Sequence, residues 1–435
     1  MRWIGLLLIA AAFVVPIPWF VELAGKHDPT ALLSQYFGVL ALIAMGISQL
    51  LATRFSLLEV IFGGLDRIYV LHKWLGIIAL ALVLLHDTID AEMDGLGGET
   101  LVTEIAETLG EVSLYGLLIL GTISVLTFVP YHLWKYTHKL MGGFFAASAL
   151  HYAFILKPFA VTDPLGVYVL VFCALGIVAY LYTLVPSGSF RGWRAYTIST
   201  IEHTGGAVAV SLTPSKRGIK HQAGQFAFIQ FMIPGFQEVH PFTISKAPDG
   251  ERTLRFTIKD LGDFTGNIAD TLKVDASVRV CGPFGHFRLR PKQQNQIWIA
   301  SGVGVTPFLA WADALGDAAG PVHLFYSARM RSAAPHLEEL EGIAAAKPNL
   351  HLHFIETAQD GRLTAKRVRD VVGGHQSRIA VSFCGPAEMR RSLERQLKNT
   401  GFNMRSLQYE EFEIRSGIGF RRLVDRLFRK ASKPS

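Results

Sequence analysis

Cysteine is scarce in this sequence: Cys173, Cys281 and Cys384 are the only three in 435 residues, and none stands in a CxxC spacing. That pattern argues against a disulfide framework, an iron–sulfur centre or a zinc site. Charge is also sparse. Asp, Glu, Lys and Arg make up 18% of the chain against 50% hydrophobic residues, and the mean hydropathy of +0.31 is high for a water-soluble protein. The net charge of +7 is modest for this length and gathers towards the C-terminus, so nucleic acid is not an expected partner. The shortage of charge is uneven along the chain. Apolar runs of membrane-spanning length recur through residues 1–186, whereas from Ser187 onward charges, Gly and Pro are interspersed as in a soluble fold.

In the first half, apolar runs cover residues 3–21, 33–51, 68–85, 113–129, 140–156 and 165–185, which predicts six membrane crossings. The first run reads as a retained helix and not a cleaved leader, because it carries Pro16 and Pro18 and no small-x-small cleavage site precedes Gly25. Residues 87–111 hold eight acids and no Lys or Arg, while Arg54, Arg67, Lys73, Lys135 and Lys139 cluster at the opposite ends of the runs. By the excess of cations on cytoplasmic loops, the acidic segment is expected outside.

Two of the runs carry histidine pairs. His72 and His86 are 14 residues apart, which on a helix sets the imidazoles about 21 Å apart along the axis and within about 40° of one face. His138 and His151 are 13 apart. Two such helices side by side could hold two haems, with His72 opposite His138 and His86 opposite His151. An intramembrane histidine can also be a proton-relay or packing residue, but four at matched depths, with Gly76, Gly142 and Gly143 leaving room for a macrocycle, favour haem. On an ideal helix His151 falls about 140° off the face of His138, so the fifth helix is expected to bend or unwind near the glycine pair. His132 and His27 are read as loop histidines. Lys73, Lys135, Lys139 and Arg67 could meet haem propionates or simply mark the cytoplasmic side. With two imidazoles on each iron no coordination position is open, so the final acceptor (dioxygen, a ferric chelate or a docked protein) does not bind the metal.

The second half breaks into strand-like runs at residues 196–201, 207–212, 225–231, 253–258 and 277–281, spaced as in a small antiparallel barrel. Among them stand His240-Pro241-Phe242-Thr243-Ile244-Ser245, then Gly262-Asp-Phe-Thr265, then Gly282-Pro-Phe-Gly285. A strand at residues 296–300 runs into Gly302-Val-Gly304-Val-Thr306-Pro307 and a helical pattern, and strand and helix alternate to residue 397. This outlines a doubly wound nucleotide-binding fold, its glycines letting backbone close on a pyrophosphate at a helix N-terminus and Pro307 suiting a first helical turn. Arg329 and Arg331 follow the strand at residues 322–327, where a 2′-phosphate would be met, so NADPH is preferred over NADH.

Taken together, these motifs resemble the ferric reductase and NADPH oxidase superfamily, and the soluble half is similar to ferredoxin-NADP reductases, over residues 54–412. The resemblance implies that Phe242 and Thr243 contact the isoalloxazine of FAD, with Pro241 and Ser245 beside them, and that His240, Gly262 and Thr265 serve its diphosphate region. It further implies that Gly302, Gly304, Thr306 and Pro307 hold the nicotinamide nucleotide. Cys384, Gly385 and Pro386 would lie near the nicotinamide, Phe412 would cover the flavin, and the paired histidines would ligate haem iron. Family members often end close to that aromatic residue, whereas 23 residues follow Phe412 here.

The expected protein is therefore multidomain: a six-helix transmembrane haem bundle (residues 1–188), an antiparallel β-barrel for FAD (189–290), a doubly wound α/β domain for NAD(P)H (291–412) and a basic amphipathic tail (413–435). In the tail, Phe420, Leu423, Val424, Leu427 and Phe428 recur at helical spacing among Arg421, Arg422, Arg426, Arg429 and Lys430, as in helices that lie on anionic lipid. The expected activity is that of an NAD(P)H-dependent flavohaem oxidoreductase of a bacterial-type inner membrane, soluble domains cytoplasmic, with FAD and two b-type haems. FAD is needed because nicotinamide delivers two electrons together while each haem accepts one. Dioxygen giving superoxide is the favoured acceptor; a ferric chelate, or a periplasmic protein or quinone, is the alternative. A transporter or channel with a nucleotide-sensing domain is the competing class and needs no haem. The oligomeric state is left open.

Overall fold

Proline and glycine set the joints of the N-terminal half. In the computed structural model, which describes residues 3–89, 96–98, 100–125, 129, 131–185, 192–260, 263–266, 268–290, 295–317, 319–373, 379–399, 402 and 407–410, the first apolar run is two helices, α1 (Trp3–Val14) and α2 (Ile17–Leu23), parted at Pro16. Asp28 caps the next helix, its carboxylate accepting from the amides of Thr30 and Ala31 at 2.9 Å each, with Pro29 in the first turn. That helix is α3 (Pro29–Ala52), followed by α4 (Ser56–Phe62), α5 (Leu65–Thr88), α6 (Leu101–Val125), α7 (Tyr131–Lys139), α8 (Met141–Phe154) and α9 (Pro164–Leu184). The interior of this unit is centred on α3, which packs against α5 and α9, while α6 packs against α8. Large apolar side chains such as Leu7, Trp74, Ile119 and Val178 stay exposed on the helices, as they do where the solvent is lipid.

Five helical segments are long and apolar enough to cross a bilayer: Trp3–Leu23, Pro29–Ala52, Leu65–Thr88, Leu101–Ser124 and Pro164–Leu184. Two expectations need correction. The fifth helix, expected to carry both His138 and His151, is instead two helices, α7 and α8, of 9 and 14 residues, parted at Leu140; α8 alone, at about 1.5 Å per residue, is shorter than a hydrocarbon core. The expected unwinding thus falls one residue before the first residue of α8, just ahead of Gly142 and Gly143. The acidic segment expected outside is also shorter than expected, because α6 starts at Leu101 and so carries Glu104, Glu107 and Glu111. Residues 90–95 and 99 lie outside the described residues.

The chain divides into two compact units after Pro186. The second opens with β1 (Arg194–Thr204), β2 (Ala207–Pro214), β3 (Phe226–Phe231), β4 (His240–Thr243), β5 (Leu254–Lys259) and β6 (Ser277–Phe284), ordered β4-β3-β6-β1-β2-β5. All its ladders are antiparallel, and a bridge between Ile244 and Phe256 joins the two ends of the order into a barrel. Its interior is filled by Tyr196, Ile198, Phe231, Ile244, Phe256 and Val280. Two short helices, α10 (Asp263–Gly266) and α11 (Ile268–Thr271), follow β5.

Next comes a parallel sheet of β7 (Asn295–Ser301), β8 (Val322–Ala328), β9 (Leu350–Glu356), β10 (Ile379–Cys384) and β11 (Gln408–Glu410), in the order β11-β10-β7-β8-β9. Helices α12 (Thr306–Ala314), α13 (Leu337–Ala346), α14 (Ala365–Val372) and α15 (Ala387–Asn399) supply the crossovers. Trp298, Phe308, Trp311 and Leu340 form the core on one face, and Ile299, Phe325, Val368 and Leu393 on the other, so the sheet is covered on both sides as a doubly wound fold requires. Barrel and sheet are fastened together. Trp311 Nε1 donates to the Ala223 carbonyl at 3.0 Å, and the His336 amide donates to Thr204 Oγ1 at 2.7 Å. Gly205, at φ +51°, abuts Ala334 and Pro335 so closely that a Cβ would stand 2.3 Å from backbone.

Candidate functional site

The four expected histidines fall on three helices: His72 and His86 on α5, His138 at the end of α7, His151 at the end of α8. Among the described residues, every hydrogen bond these rings make is at Nδ1. His72 Nδ1 meets Ser48 Oγ at 2.8 Å and the Ser48 carbonyl at 2.9 Å. His86 Nδ1 repeats this with Ser34 Oγ at 3.0 Å and the Ser34 carbonyl at 2.9 Å. His138 Nδ1 meets Ser124 Oγ at 3.0 Å, and His151 Nδ1 the Ala106 carbonyl at 2.8 Å.

Proton counting fixes the tautomer. A carbonyl only accepts, so His72, His86 and His151 each carry their proton on Nδ1. The Ser124 hydroxyl gives its one proton to the Leu120 carbonyl at 2.7 Å, so it too accepts from His138. All four rings therefore present a bare Nε2 lone pair, the form in which imidazole binds a metal with its other nitrogen held by an acceptor. The rings of His72 and His138 are 6.0 Å apart, centre to centre. An imidazole–metal bond is about 2 Å and the nitrogen lies about 1 Å from the ring centre, so two imidazoles on one metal stand roughly 6 Å apart. Among the described residues no group of three or more His, Cys, Asp or Glu could hold a metal.

The glycines divide differently from expectation. Gly76 faces open space, but Gly142 does not leave room for a macrocycle: the ring of Tyr180 on α9 lies 2.1 Å from where its Cβ would be. The glycines that serve the histidines are Gly38 and Gly110, where a Cβ would stand 3.3 Å from His86 and 2.7 Å from His151 Nδ1. Sequence reasoning missed both, along with Ser34, Ser48 and Ser124. One signal was present, since Ser34 and Ser48 repeat the 14-residue spacing of His72 and His86. The side chain of His132 lies outside the described residues.

In the soluble unit, β4 presents His240, Pro241, Phe242 and Thr243 along one edge of the barrel. The His240 ring packs on Phe264 at 3.9 Å and pairs with Glu238 at 3.3 Å. Phe264 is the neighbour of Thr265, so His240 packs on the segment that carries Thr265, these being two of the three residues expected at a flavin diphosphate. Thr265 also lines a cavity of about 330 Å³ with Asp260, Thr204 and His203. Ser245 departs from the expected role. It is fully buried, its hydroxyl donates to the Arg255 carbonyl at 3.1 Å and accepts from Thr257 Oγ1 at 3.2 Å, so it braces the barrel. Gly262 and Phe412 lie outside the described residues, as does the tail from residue 413.

The Gly302 to Val305 turn is a single 3₁₀ turn leading into α12. Gly302 has φ +54° and nothing within 4 Å of a Cβ, leaving its backbone open to a ligand, whereas at Gly304 a Cβ would stand 2.4 Å from the Cys384 carbonyl. The absence of a side chain at Gly304 thus lets the turn pack against the end of β10. The Thr306 hydroxyl donates to the Val303 carbonyl at 3.0 Å, and Pro307 occupies the first turn of α12. Cys384 ends β10, followed by Gly385 and Pro386, and is paired in register with Glu410 of β11. Burial first, and the Glu410 carboxylate second, hold its thiol well above the usual range, so it stays a neutral thiol. Glu410, 5% exposed and 3.0 Å from a Cβ at Gly285, was not foreseen. Of the two arginines after β8, Arg331 is committed to Glu341 at 2.5 Å, while the exposed Arg329 guanidinium has no ion pair among the described residues.

Comparison with known proteins finds three matching regions. Residues 37–149 match the ferric reductase like transmembrane component, residues 192–298 an FAD-binding domain and residues 298–395 an oxidoreductase NAD-binding domain. The flavohemoprotein of Burkholderia sp. (strain TH2) is 22% identical over 55% of this chain and 64% of its own. The superoxide-generating NADPH oxidase heavy chain of Dictyostelium discoideum is 25% identical over 59% of this chain and 53% of its own. The chloroplastic ferric reduction oxidase 7 of Arabidopsis thaliana is 26% identical over 63% of this chain and 39% of its own. The chain thus spans less than two thirds of the length of each. It joins a ferric reductase-like transmembrane component to an FAD-binding domain and an oxidoreductase NAD-binding domain, and its homologues include an NADPH oxidase and a ferric reduction oxidase.

Proposed function

We propose that this protein moves electrons from cytoplasmic NADPH, by way of FAD and two b-type haems, to an acceptor on the outer side of a bacterial-type inner membrane, with dioxygen giving superoxide as the favoured acceptor. The observation that carries the reading is that His72, His86, His138 and His151 all hydrogen-bond through Nδ1, from which a bare Nε2 on each follows. A proton relay would gain nothing from four identically locked rings, and a channel or transporter would not need them. The 6.0 Å separation of His72 and His138 supports one iron between them, and Gly38 and Gly110 support a second site at His86 and His151.

In this reading α7 and α8 together make the fifth of six crossings, and the domain limits are those expected from the sequence. A flavin supplies conversion of a two-electron hydride donor into the one-electron steps that haems accept. Phe242 and Thr243 would hold the isoalloxazine, His240 and Thr265 its diphosphate, and Phe412 is the residue that would cover the ring. The open backbone at Gly302 would receive the nucleotide phosphates, Cys384 and Glu410 would shape the nicotinamide side, and Arg329 would meet the 2′-phosphate. With two imidazoles for each iron, the acceptor would take electrons without binding the metal. The basic amphipathic sequence from residue 413 would suit anionic lipid.

The superoxide-generating relative supports dioxygen, and the ferric reduction oxidase supports a second reading, ferric-chelate reduction. NADPH consumption with oxygen alone, then with ferric chelate under anaerobic conditions, separates them. Superoxide formation matched to NADPH loss is expected. Turnover only with ferric chelate would replace the first reading by the second.

A further inference from the structure

Two helices of the bundle carry a matched pair of spacings. Ser34 and Ser48 on α3 and His72 and His86 on α5 are each 14 residues apart. The packed helices run antiparallel, so Ser48 meets His72 and Ser34 meets His86. Both serines are buried, at 7% and 6% exposure. The Ser34 hydroxyl gives its own proton to the His86 carbonyl at 2.8 Å, which orients its lone pairs toward the ring. Ser124 is fixed in the same sense by the Leu120 carbonyl. A buried serine in this bundle need not touch a histidine: Ser113, 2% exposed, bonds to Ser148 and to the Phe144 carbonyl at 2.9 Å.

We propose that Ser34, Ser48 and Ser124 are positioning residues that set how strongly their histidines bind iron, and hence the midpoint potential of each haem. The inference rests on the two-haem reading. An acceptor at Nδ1–H draws that proton outward and raises electron density at Nε2, and a stronger nitrogen donor favours the oxidised metal. Deleting the hydroxyl leaves one acceptor fewer on a ring that cannot turn to find another. The midpoint then rises. His72 and His86 each retain a carbonyl acceptor, so their haems remain bound, whereas among the described residues His138 has only the Ser124 hydroxyl, and removal there acts most strongly.

The test is an optical redox titration of the full-length protein, with low-temperature ferric electron paramagnetic resonance, for wild type, Ser34→Ala, Ser48→Ala, Ser124→Ala, Ser113→Ala and Ser48→Thr. The midpoint of one and the same haem is expected to rise in Ser48→Ala and Ser124→Ala, and that of the other haem in Ser34→Ala. Ser113→Ala and Ser48→Thr are expected to titrate as wild type. Loss of a haem from Ser48→Ala would contradict the inference, since the Ser48 carbonyl still accepts from His72. Unchanged midpoints and g-values in all three alanine variants, or an equal shift in Ser113→Ala, would overturn the inference while leaving the two-haem reading intact. A wild-type protein without haem would overturn that reading itself.

Discussion

The imidazole of His72 stands 6.0 Å from that of His138, with the planes inclined at 74°. The two rings reach this spacing from different helices and are locked from behind by different serines, Ser48 and Ser124. A core pair packed for its own sake needs no such matched anchoring, whereas a shared metal ligand does. The stack of Trp134 on His138, 4.9 Å between centres, fixes the latter's ring plane as well.

Removing either member of a pair is expected to remove the same haem. His72→Leu and His138→Leu should each lose one haem, and His86→Leu and His151→Leu the other, as read by haem stoichiometry and redox titration. Retention of both haems in His138→Leu would assign the ligand elsewhere.

Gly110 and Gly76 separate close approach from open space. A Cβ at Gly110 would stand 2.7 Å from His151 Nδ1, whereas at Gly76 it meets nothing within 4 Å. Gly110→Ala is expected to lose the His86–His151 haem and Gly76→Ala to keep both, as judged from haem content of the purified variants. Equal haem content in the two would count against the site.

For the nucleotide, Arg329→Ala is expected to lower kcat/KM for NADPH by roughly 10- to 100-fold, the worth of a hydrogen bond to a charged group, with NADH unaffected. Arg331→Ala should change either value little, because its guanidinium already holds Glu341 on the exposed surface. Equal kcat/KM for both nucleotides in the wild type would remove the NADPH assignment.

A pH effect is expected from the sheet edge. Burial first, then the neighbouring charges of His323, His351 and Arg367, lower His353 to about 4, and His323 Nδ1 lies 3.0 Å from its Nε2. The unfolded chain binds a proton near pH 6.5 that the folded ring resists. Stability from this group is therefore present above pH 6.5 and lost as pH falls from 6.5 towards 4. Allowing for solvent screening of a half-buried ring, the loss is about 1 kcal/mol. Thermal unfolding of the soluble domains at pH 7.5 and 5, in wild type and His353→Gln, should show a smaller drop in the variant.

Where the pattern was local, the sequence carried it. The spacing of His72 and His86 fixes a helix face by itself, and the strand, Gly302 turn and helix announce the nucleotide fold through period and turn chemistry. What escaped depends on partners distant in sequence. The break at Leu140 was foreseen in kind from the odd spacing of His138 and His151, but the packing of Tyr180 into the notch at Gly142 was not. Ser245 looked like a cofactor residue because it adjoins the HPFT segment, yet strand geometry turns it into the barrel wall. Glu410 could not be linked to Cys384 before β10 and β11 were seen in register. The serines behind the histidines were legible only as a repeated spacing without a stated partner.

The most direct measurement is the reduced-minus-oxidised absorption spectrum of the purified full-length protein, with haem and flavin quantified per chain. Two b-type haems and one FAD per chain, the haems reduced on adding NADPH, are the expected result. A protein with flavin but no b-type signal would contradict the electron relay and leave His72, His86, His138 and His151 without their proposed role.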